Sequence, residues 1–141
     1  MKGQRKQCGI IFTVLLLFIL FLDGCSVVKE DKEKIGDLEY TVVKQEELPE
    51  ELKKQIEEQK DTPMKISYGD QGMLYIVRGY GEKDTDGYQA VVNELYETKH
   101  TIYIQTSLKG PESEADAIKK KTYPYVVVKM PFYEKKIRFE G

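Results

Sequence analysis

Few side chains in this 141-residue chain could do chemistry, and His100 is the only histidine. A Ser/His/Asp triad or a zinc site would have to be built on it. His100 lies between Lys99 and Thr101, where we expect the exposed tip of a hairpin, so we predict no catalytic residue, no metal site and no cofactor. Most carboxylates stand beside lysines, as in residues 50–60, which is typical of a solvated helix face. A hydrolase that uses a pair of carboxylates stays open as a third hypothesis.

The two cysteines, Cys8 and Cys25, lie in or beside an N-terminal apolar segment. The segment has a basic start and then an apolar run shorter than the about 20 residues of a membrane-spanning helix. The run ends in Leu22-Asp23-Gly24-Cys25, which resembles the lipobox of bacterial lipoproteins, with Asp23 where a small residue is usual. The resemblance implies a signal peptide over residues 1–24, which is removed on maturation, and lipid on the thiol of Cys25.

Lipid on Cys25 would hold the protein at the extracytoplasmic face of a bacterial cell membrane, since two or more acyl chains anchor a protein stably. We interpret residues 25–36, where acidic and basic side chains alternate, as a tether. Residues 37–141 are then long enough for a single domain. The alternative is a plain signal anchor with an incidental cysteine.

The charge of the chain argues against one class of partner. The formal net charge is −2, and removal of residues 1–24 takes away three basic residues and one acidic residue, which leaves −4. Lysines interleaved with glutamates provide no basic patch for phosphates. We therefore expect no binding to nucleic acid.

The elements that must position any site follow from hydrophobic periodicity. Leu48, Leu52 and Ile56 recur every four residues and predict an amphipathic helix over 48–60. Residues 73–80 are apolar on both faces, which predicts a central strand that is covered on each side. The other predicted elements are strands at 38–43, 65–68, 88–98, 101–108, 123–130 and 135–139, and an exposed connection at 109–121 with a helical turn over 113–120. The predicted fold class is α+β, with about six antiparallel strands in a sandwich or partial barrel and one N-terminal helix.

Glycines and tyrosines follow the predicted central strand. A phosphate-binding glycine loop opens a helix, but a β-like segment follows Gly79-Tyr80-Gly81. We expect these glycines to permit a positive φ or a bulge. Tyrosines in strands are usually packing residues, and a shared binding surface is the alternative for Tyr80, Tyr88, Tyr123 and Tyr125.

Several landmarks in this half of the chain occur in a familiar order. Thr85, Gly87 and Tyr88 form a turn after a strand that ends in glycine, and Gly110-Pro111 and Pro124-Tyr125 follow. Over about residues 73–139 this order resembles the C-terminal domain of the PrcB-type protease-complex subunits, which have a Pro-Thr-Gly-Gly-Tyr turn. Asp84 and Asp86 stand in place of the proline and the first glycine of that turn.

The resemblance implies a non-catalytic accessory or binding subunit outside the cytoplasm, not an enzyme. Its partners would be the membrane, through the lipid, and an exported protein such as a protease that it stabilises. We predict that the partner is bound by the candidate loop, which comprises Gly79, Tyr80, Gly81, Thr85, Gly87, Tyr88, Pro124 and Tyr125. The alternative is a binding module for a cell-wall or small extracellular ligand, with the same loop at its rim.

Overall fold

The structure, a computed structural model, describes residues 33–141. The predicted signal peptide, Cys8, the predicted lipidation site Cys25 and the first part of the predicted tether therefore lie outside the described residues. Within residues 33–141 no helix combines the length and the apolar character that crossing a membrane requires.

The described chain contains one α-helix and ten strands. The helix α1 spans Glu50–Gln59 and follows a 3-10 helix at Gln45–Glu47. The strands are β1 (Gly36–Asp37), β2 (Thr41–Val42), β3 (Pro63–Asp70), β4 (Met73–Tyr80), β5 (Lys83–Thr85), β6 (Gln89–Glu97), β7 (Thr101–Lys109), β8 (Lys119–Thr122), β9 (Tyr125–Pro131) and β10 (Lys136–Glu140). The expected α+β class with mostly antiparallel pairing is confirmed, with more strands than the six expected.

The inner sheet has the strand order β2-β9-β4-β3. Strand β4 is its centre, because it pairs along its length with β3 on one side and with β9 on the other. Six of the eight β4 residues are buried. Tyr75 and Val77 belong to one apolar cluster and Leu74 and Ile76 to another. The prediction of a central strand covered on both faces is therefore confirmed, with the predicted bounds.

Helix α1 covers one face of the inner sheet. Leu52 and Ile56 are completely or almost completely buried and pack in one cluster with β3, β4 and β9. Pro49 is the N-cap residue, and Glu50 and Glu51 occupy the first turn, where carboxylates interact favourably with the helix dipole. The predicted helix is confirmed, although it begins two residues later than expected, and Leu48 is buried just before it.

The outer sheet, with the order β1-β6-β7-β10, covers the other face of the inner sheet. Leu95, Ile102 and Ile104 of the outer sheet pack against β4 and β9. The predicted hairpin at 99–100 is confirmed as the β6–β7 connection. One pairing departs from the expected antiparallel pattern, since β10 runs parallel to β7. The chain leaves β9 in the inner sheet and enters the outer sheet beside β7, so that β10 follows a crossover and not a hairpin.

Two predicted elements hold only in part. The strand expected at 38–43 is divided, because β1 pairs with β6 in the outer sheet and β2 pairs with β9 in the inner sheet. Residues 38–40 cross between the two sheets. The helical turn expected over 113–120 is shorter, since a turn occupies only residues 114–116, and Lys119–Thr122 form β8, whose backbone pairs with β5 in a separate two-stranded ribbon, the β5–β8 ribbon.

Candidate functional site

The candidate loop begins with two glycines that serve packing. A Cβ atom on Gly79 would lie 2.5 Å from the Met64 side chain, in the layer between the inner sheet and α1. Gly81 has φ +78°, and the next amide, of Glu82, donates to the Asp61 carbonyl oxygen at 3.1 Å. The expected positive φ is thus found at Gly81, whereas Gly79 is required by close approach.

The turn at Gly87 and Tyr88 contacts the Gly110-Pro111 segment, although Gly87 and Pro111 are 24 positions apart in the sequence. Gly87 has φ +85°, and a Cβ atom there would lie 2.7 Å from the Cβ of Pro111. Gly110 lies beside the Tyr88 ring, since a Cβ on Gly110 would be 3.9 Å from Cε1 of Tyr88. Contact between the two landmarks gives a physical reason why both occur in the same chain.

The β5–β8 ribbon is held mainly by polar contacts. The Thr122 hydroxyl donates to the Thr85 carbonyl oxygen at 2.6 Å. The Asp86 amide donates to the Ile118 carbonyl oxygen at 3.0 Å, and the Ile118 amide donates to Oδ1 of Asp86 at 2.8 Å. Asp86 has no positive φ, and its carboxylate makes a bond that a glycine at this position could not make.

An ion pair completes the ribbon. Nζ of Lys121 lies 2.9 Å from Oε1 of Glu82. The hydrogen bond with Glu82 raises the pKa of Lys121 above its usual value. Because both side chains are substantially exposed, the pair contributes little to the stability of the ribbon.

Three of the four tyrosines considered as a shared surface are placed by their contacts, and these three do not lie on one face of the inner sheet. The Tyr80 hydroxyl is 2.7 Å from Oγ1 of Thr106, a buried residue of the outer sheet. Tyr125 packs against the α1 cluster, and burial is the main cause that raises its pKa. Lys60, the C-cap of α1, places Nζ 4.7 Å from the centre of the Tyr123 ring. Tyr80 therefore does not share a surface with Tyr123 and Tyr125.

The turn around Tyr88 contains the only exposed residue of the candidate loop. Gly87 is exposed, and Tyr88 is half-buried. Nζ of Lys83 lies 5.9 Å from the centre of the Tyr88 ring, within cation–π range. We call Lys83, Gly87 and Tyr88, with the neighbouring Asp84, the turn surface.

Arg78 is an unusual residue near this loop that sequence analysis missed. It is only 8% exposed, and Nη1 and Nη2 donate to the carbonyl oxygens of Gly79 at 2.5 Å and of Gly141 at 3.1 Å. The guanidinium lies 4.3 Å from the centre of the Tyr80 ring. Among the described residues Nε has no hydrogen-bond partner. The signal in the sequence was a single basic residue inside the apolar run 73–80. In the structure its hydrogen bond holds residue 141 beside the end of β4.

His100 is exposed in the β6–β7 connection, where the sequence placed it. Its carbonyl oxygen accepts from the Lys136 amide at 3.3 Å, which joins the hairpin tip to β10. Within residues 33–141 no group of three or more histidine, cysteine, aspartate or glutamate side chains is arranged to hold a metal ion.

Two cavities of the described domain lie away from the candidate loop. A groove of about 960 Å³ is lined by the crossing segment 38–41 and by the ends of β4 and β9. A smaller cavity of about 330 Å³ lies between β3 and the connection from β9 to β10. No residue of the candidate loop lines either of them.

Comparison with known families agrees with this arrangement of landmarks. Residues 74–131 match the family model described as PrcB C-terminal. The matched span runs from the central strand β4 through the turn surface, the β6–β7 hairpin and the β5–β8 ribbon to the end of β9. No curated protein and no solved structure gives a significant match to the chain. The protein thus carries a PrcB-type C-terminal domain.

Proposed function

We propose that this protein is a membrane-anchored lipoprotein whose domain is a non-catalytic accessory subunit that binds and stabilises an exported protease. The observation that carries the proposal is the PrcB C-terminal match over residues 74–131. In general terms, a domain of this type indicates an accessory subunit of a protease complex. No catalytic step is assigned to His100 or to any carboxylate.

The turn surface is the part of the candidate loop that a partner would contact. Its backbone is fixed by Gly87 against Pro111 and by the two hydrogen bonds between Asp86 and Ile118. A loop held in one conformation loses little entropy on binding, and a half-buried tyrosine offers a large contact area with few rotatable bonds. Tyr88 is therefore the side chain that we expect to contribute most to binding.

The proposed lipid on Cys25 would keep this surface near the membrane. Gly36, where β1 begins, is the eleventh residue after Cys25. A fully extended chain spans at most about 3.3–3.6 Å per residue, so that the domain would stay within roughly 40 Å of the anchor. A partner released by the export machinery or held at the same membrane would be within reach.

Capture of the partner from membranes tests the accessory role. The full chain is immunoprecipitated from detergent-solubilised membranes of the cells that produce it, and the bound proteins are identified by mass spectrometry. We expect an exported protease in the precipitate, and about tenfold less of it with Tyr88→Ala, the loss typical of an aromatic hot spot. The matched control is Tyr40→Ala, which changes an exposed tyrosine outside the turn surface.

The level of the protease in cells provides a second readout. Deletion of the gene for this protein should lower the amount of the captured protease without changing its transcript. Thermal melting of the purified variants checks that Tyr88→Ala remains folded. Capture that is equal for Tyr88→Ala and Tyr40→Ala would count against the turn surface, and capture of no exported protease would count against the accessory role.

Labelling with radioactive palmitate tests the anchor. Wild type should incorporate the label and sediment with membranes, whereas Cys25→Ala should do neither. Cys8→Ala is the matched control, because it changes the other cysteine and should leave labelling unchanged. Equal incorporation into Cys25→Ala and wild type would contradict the proposed lipidation.

The groove of about 960 Å³ favours a second candidate function, the binding of a cell-wall or small extracellular ligand. The groove has the size of a small-molecule site, and Tyr40, Met73 and Met130 lie along it. Thermal melting with peptidoglycan fragments tests this function. A rise in melting temperature that Tyr40→Ala abolishes would support it, and unchanged melting would exclude these ligands.

A further inference from the structure

The outer edge of β3 has the hydrogen-bonding groups of an incomplete sheet. Strand β3 is eight residues long and is the last strand of the inner sheet among the described residues. Its connection to β4 is the two-residue turn Gln71-Gly72, in which both residues have positive φ. Such a hairpin makes Asp70 and Met73 a hydrogen-bonded pair. Bonding to β4 then alternates along β3, and Lys65, Ser67 and Gly69 direct their N–H and C=O groups away from the sheet.

The protection that natural edges usually have is sparse along this strand. Short edge strands, bulges, inward-pointing charges and covering elements normally prevent pairing with another chain. Strand β3 is regularly paired with β4 over all eight residues. Pro63, which lacks an N–H group, prevents pairing only at the first position of β3, and Lys65 is the one basic side chain in the strand. The edge can therefore accept another strand over residues 65–69.

An aromatic cavity adjoins the same edge. The cavity of about 330 Å³ is lined by Tyr68, Phe132, Tyr133 and Ile137, with Glu134 and Lys135 also in its lining. Phe132 and Tyr133 are 54% and 39% exposed. A Cβ atom on Gly69 would lie 3.3 Å from the Phe132 ring, so this ring borders the strand on the side that faces away from α1. An apolar side chain opposite Gly69 would enter the cavity.

The other end of the β3 edge, four residues before Gly69, carries the positive charge of Lys65. Nζ of Lys65 lies 5.9 Å from the centre of the Phe139 ring, and no carboxylate among the described residues forms an ion pair with it. Residues 65 and 69 have the same side-chain direction because they are four apart in a strand. An acidic side chain opposite Lys65 would lie on the same face of an added strand as the apolar side chain opposite Gly69.

We infer that the outer edge of β3 binds an extended segment of the partner protein as an additional antiparallel strand. In the partner segment an apolar residue, which fills the cavity at Phe132, comes four positions before an acidic residue, which pairs with Lys65. Strand addition of this kind combines main-chain hydrogen bonds for affinity with side-chain pockets for specificity. The inference rests on the proposed function only in that the partner is a protein.

A second copy of this chain fits the edge less well. Two β3 strands paired about Ser67 would place Gly69 opposite Lys65 and Lys65 opposite Gly69. In that register the residue directly opposite each Lys65 is a glycine, which offers no carboxylate, and the ammonium group would lie beside the Phe132 ring, in a cavity whose lining also includes Glu134 and Lys135. Charge complementarity therefore favours a partner with the stated sequence pattern.

A synthetic peptide tests the edge directly. The probe is fluorescein-labelled Thr-Thr-Leu-Thr-Val-Thr-Glu-Thr-Thr with blocked termini, and its anisotropy is measured with the full chain in detergent. We expect saturable binding. Methylation of the peptide nitrogens that face β3 should abolish it, and a peptide with leucine and glutamate exchanged should bind several-fold more weakly.

Two substitutions in β3 complete the test. Ser67→Pro removes an outward N–H and should abolish binding, whereas the matched Ser67→Ala should not change it; edge strands tolerate proline where no ladder bond is lost. Lys65→Glu should weaken binding of the probe at least fivefold. The same variant should bind a second peptide, in which lysine replaces the glutamate, about as well as wild type binds the original probe. This charge reversal does not depend on whether Ser67→Pro folds.

Several outcomes would overturn the inference. The inference fails if the probe shows no saturable binding at about 1 mM peptide. It also fails if methylation of the peptide nitrogens, or the Lys65→Glu substitution, leaves the affinity unchanged. Sedimentation that reveals a dimer dissociated by Lys65→Glu would assign the edge to a second copy instead. The test of the accessory role is separate. If the probe binds but no exported protease is captured, the proposed protease partner is ruled out while strand addition at the β3 edge is still supported.

Discussion

The inner sheet and the β5–β8 ribbon belong to the same domain, yet different interactions hold them in place. Strand β4 has six buried residues, and Ile76 and Val77 are completely buried between α1 and the outer sheet. Strands β5 and β8 contain no buried residue. Burial of apolar surface stabilises the inner sheet, whereas hydrogen bonds and the close contact of Gly87 with Pro111 hold the ribbon in place.

This difference indicates how each region tolerates change. An apolar core accepts other side chains of similar volume at modest cost. At the ribbon, any replacement of Gly87 is strained, because its φ is positive and Pro111 is adjacent. The landmarks of the PrcB-type resemblance lie at the ribbon and its neighbours, where the geometry permits few residue types.

The largest expected effect is the loss of core volume in the inner sheet. Ile76→Ala should lower the free energy of unfolding by roughly 2–5 kcal/mol, because it leaves a cavity at a completely buried site between the sheets. Urea unfolding measures this change. The matched control is Ile118→Ala at the ribbon, where the side chain is 62% exposed and the change should stay within about 0.5 kcal/mol. Equal losses for both variants would contradict the contrast between the regions.

Gly87→Ala should have the next largest effect, and it should be local. A non-glycine residue with positive φ costs about 1–2 kcal/mol, and the added Cβ would also press on Pro111. Hydrogen exchange should accelerate at the Asp86 amide, which bonds to Ile118 across the ribbon, while amides of β4 keep their protection. Gly110→Ala is the control, since its Cβ would make an ordinary contact with Tyr88. Unchanged exchange at Asp86 in Gly87→Ala would show that the ribbon does not depend on this fit.

Tyr80→Phe should cost less, about 0.5–1.5 kcal/mol, because it removes one hydrogen bond between the two sheets. The Tyr80 hydroxyl lies 2.7 Å from Oγ1 of Thr106, which is 3% exposed and would lose this partner. Thermal unfolding measures the effect, and Tyr133→Phe at an exposed position should leave stability unchanged. A stability equal to that of wild type would mean that water replaces the tyrosine hydroxyl at Thr106.

The smallest expected effect appears in alkaline solution. Burial, and then the nearby Glu57 carboxylate, raise the pKa of Tyr125. The contribution of Tyr125 to stability is complete below the pKa of about 10 for an unfolded tyrosine and is lost as the pH rises through the higher pKa of the folded state. Tyr125→Phe should therefore make the fall in stability above about pH 10 less steep. Denaturant titrations at several alkaline pH values measure the slope, and an identical slope in the variant would contradict the assignment.

Much of the α1 and inner-sheet architecture could be predicted because its signals are local. Leu48, Leu52 and Ile56 repeat with the helix period, and all three are buried in the structure. The double-sided apolar run predicted β4 with its observed bounds. In the candidate loop the sequence correctly predicted a positive φ after the central strand, which occurs at Gly81.

The grouping of the candidate loop residues could not be predicted to the same extent. Tyr80 and Tyr125 occupy neighbouring positions of paired strands, yet Tyr80 meets the outer sheet and Tyr125 meets the α1 cluster. The direction of a strand side chain alternates along the strand, so the result depends on the register between β4 and β9. That register is a property of two distant segments and has no signal within either one.

By itself, the sequence determined the elements whose periodicity reports how each residue is buried, together with the landmarks of a PrcB-type domain. Only the tertiary structure decided which edge each strand joins: β1 and β2 enter different sheets, β10 lies parallel to β7, and β5 pairs with β8 across a long connection. The physical reason is that apolar patterning is a local record of burial, whereas strand pairing and the contact of Gly87 with Pro111 arise from close packing between residues far apart in the chain.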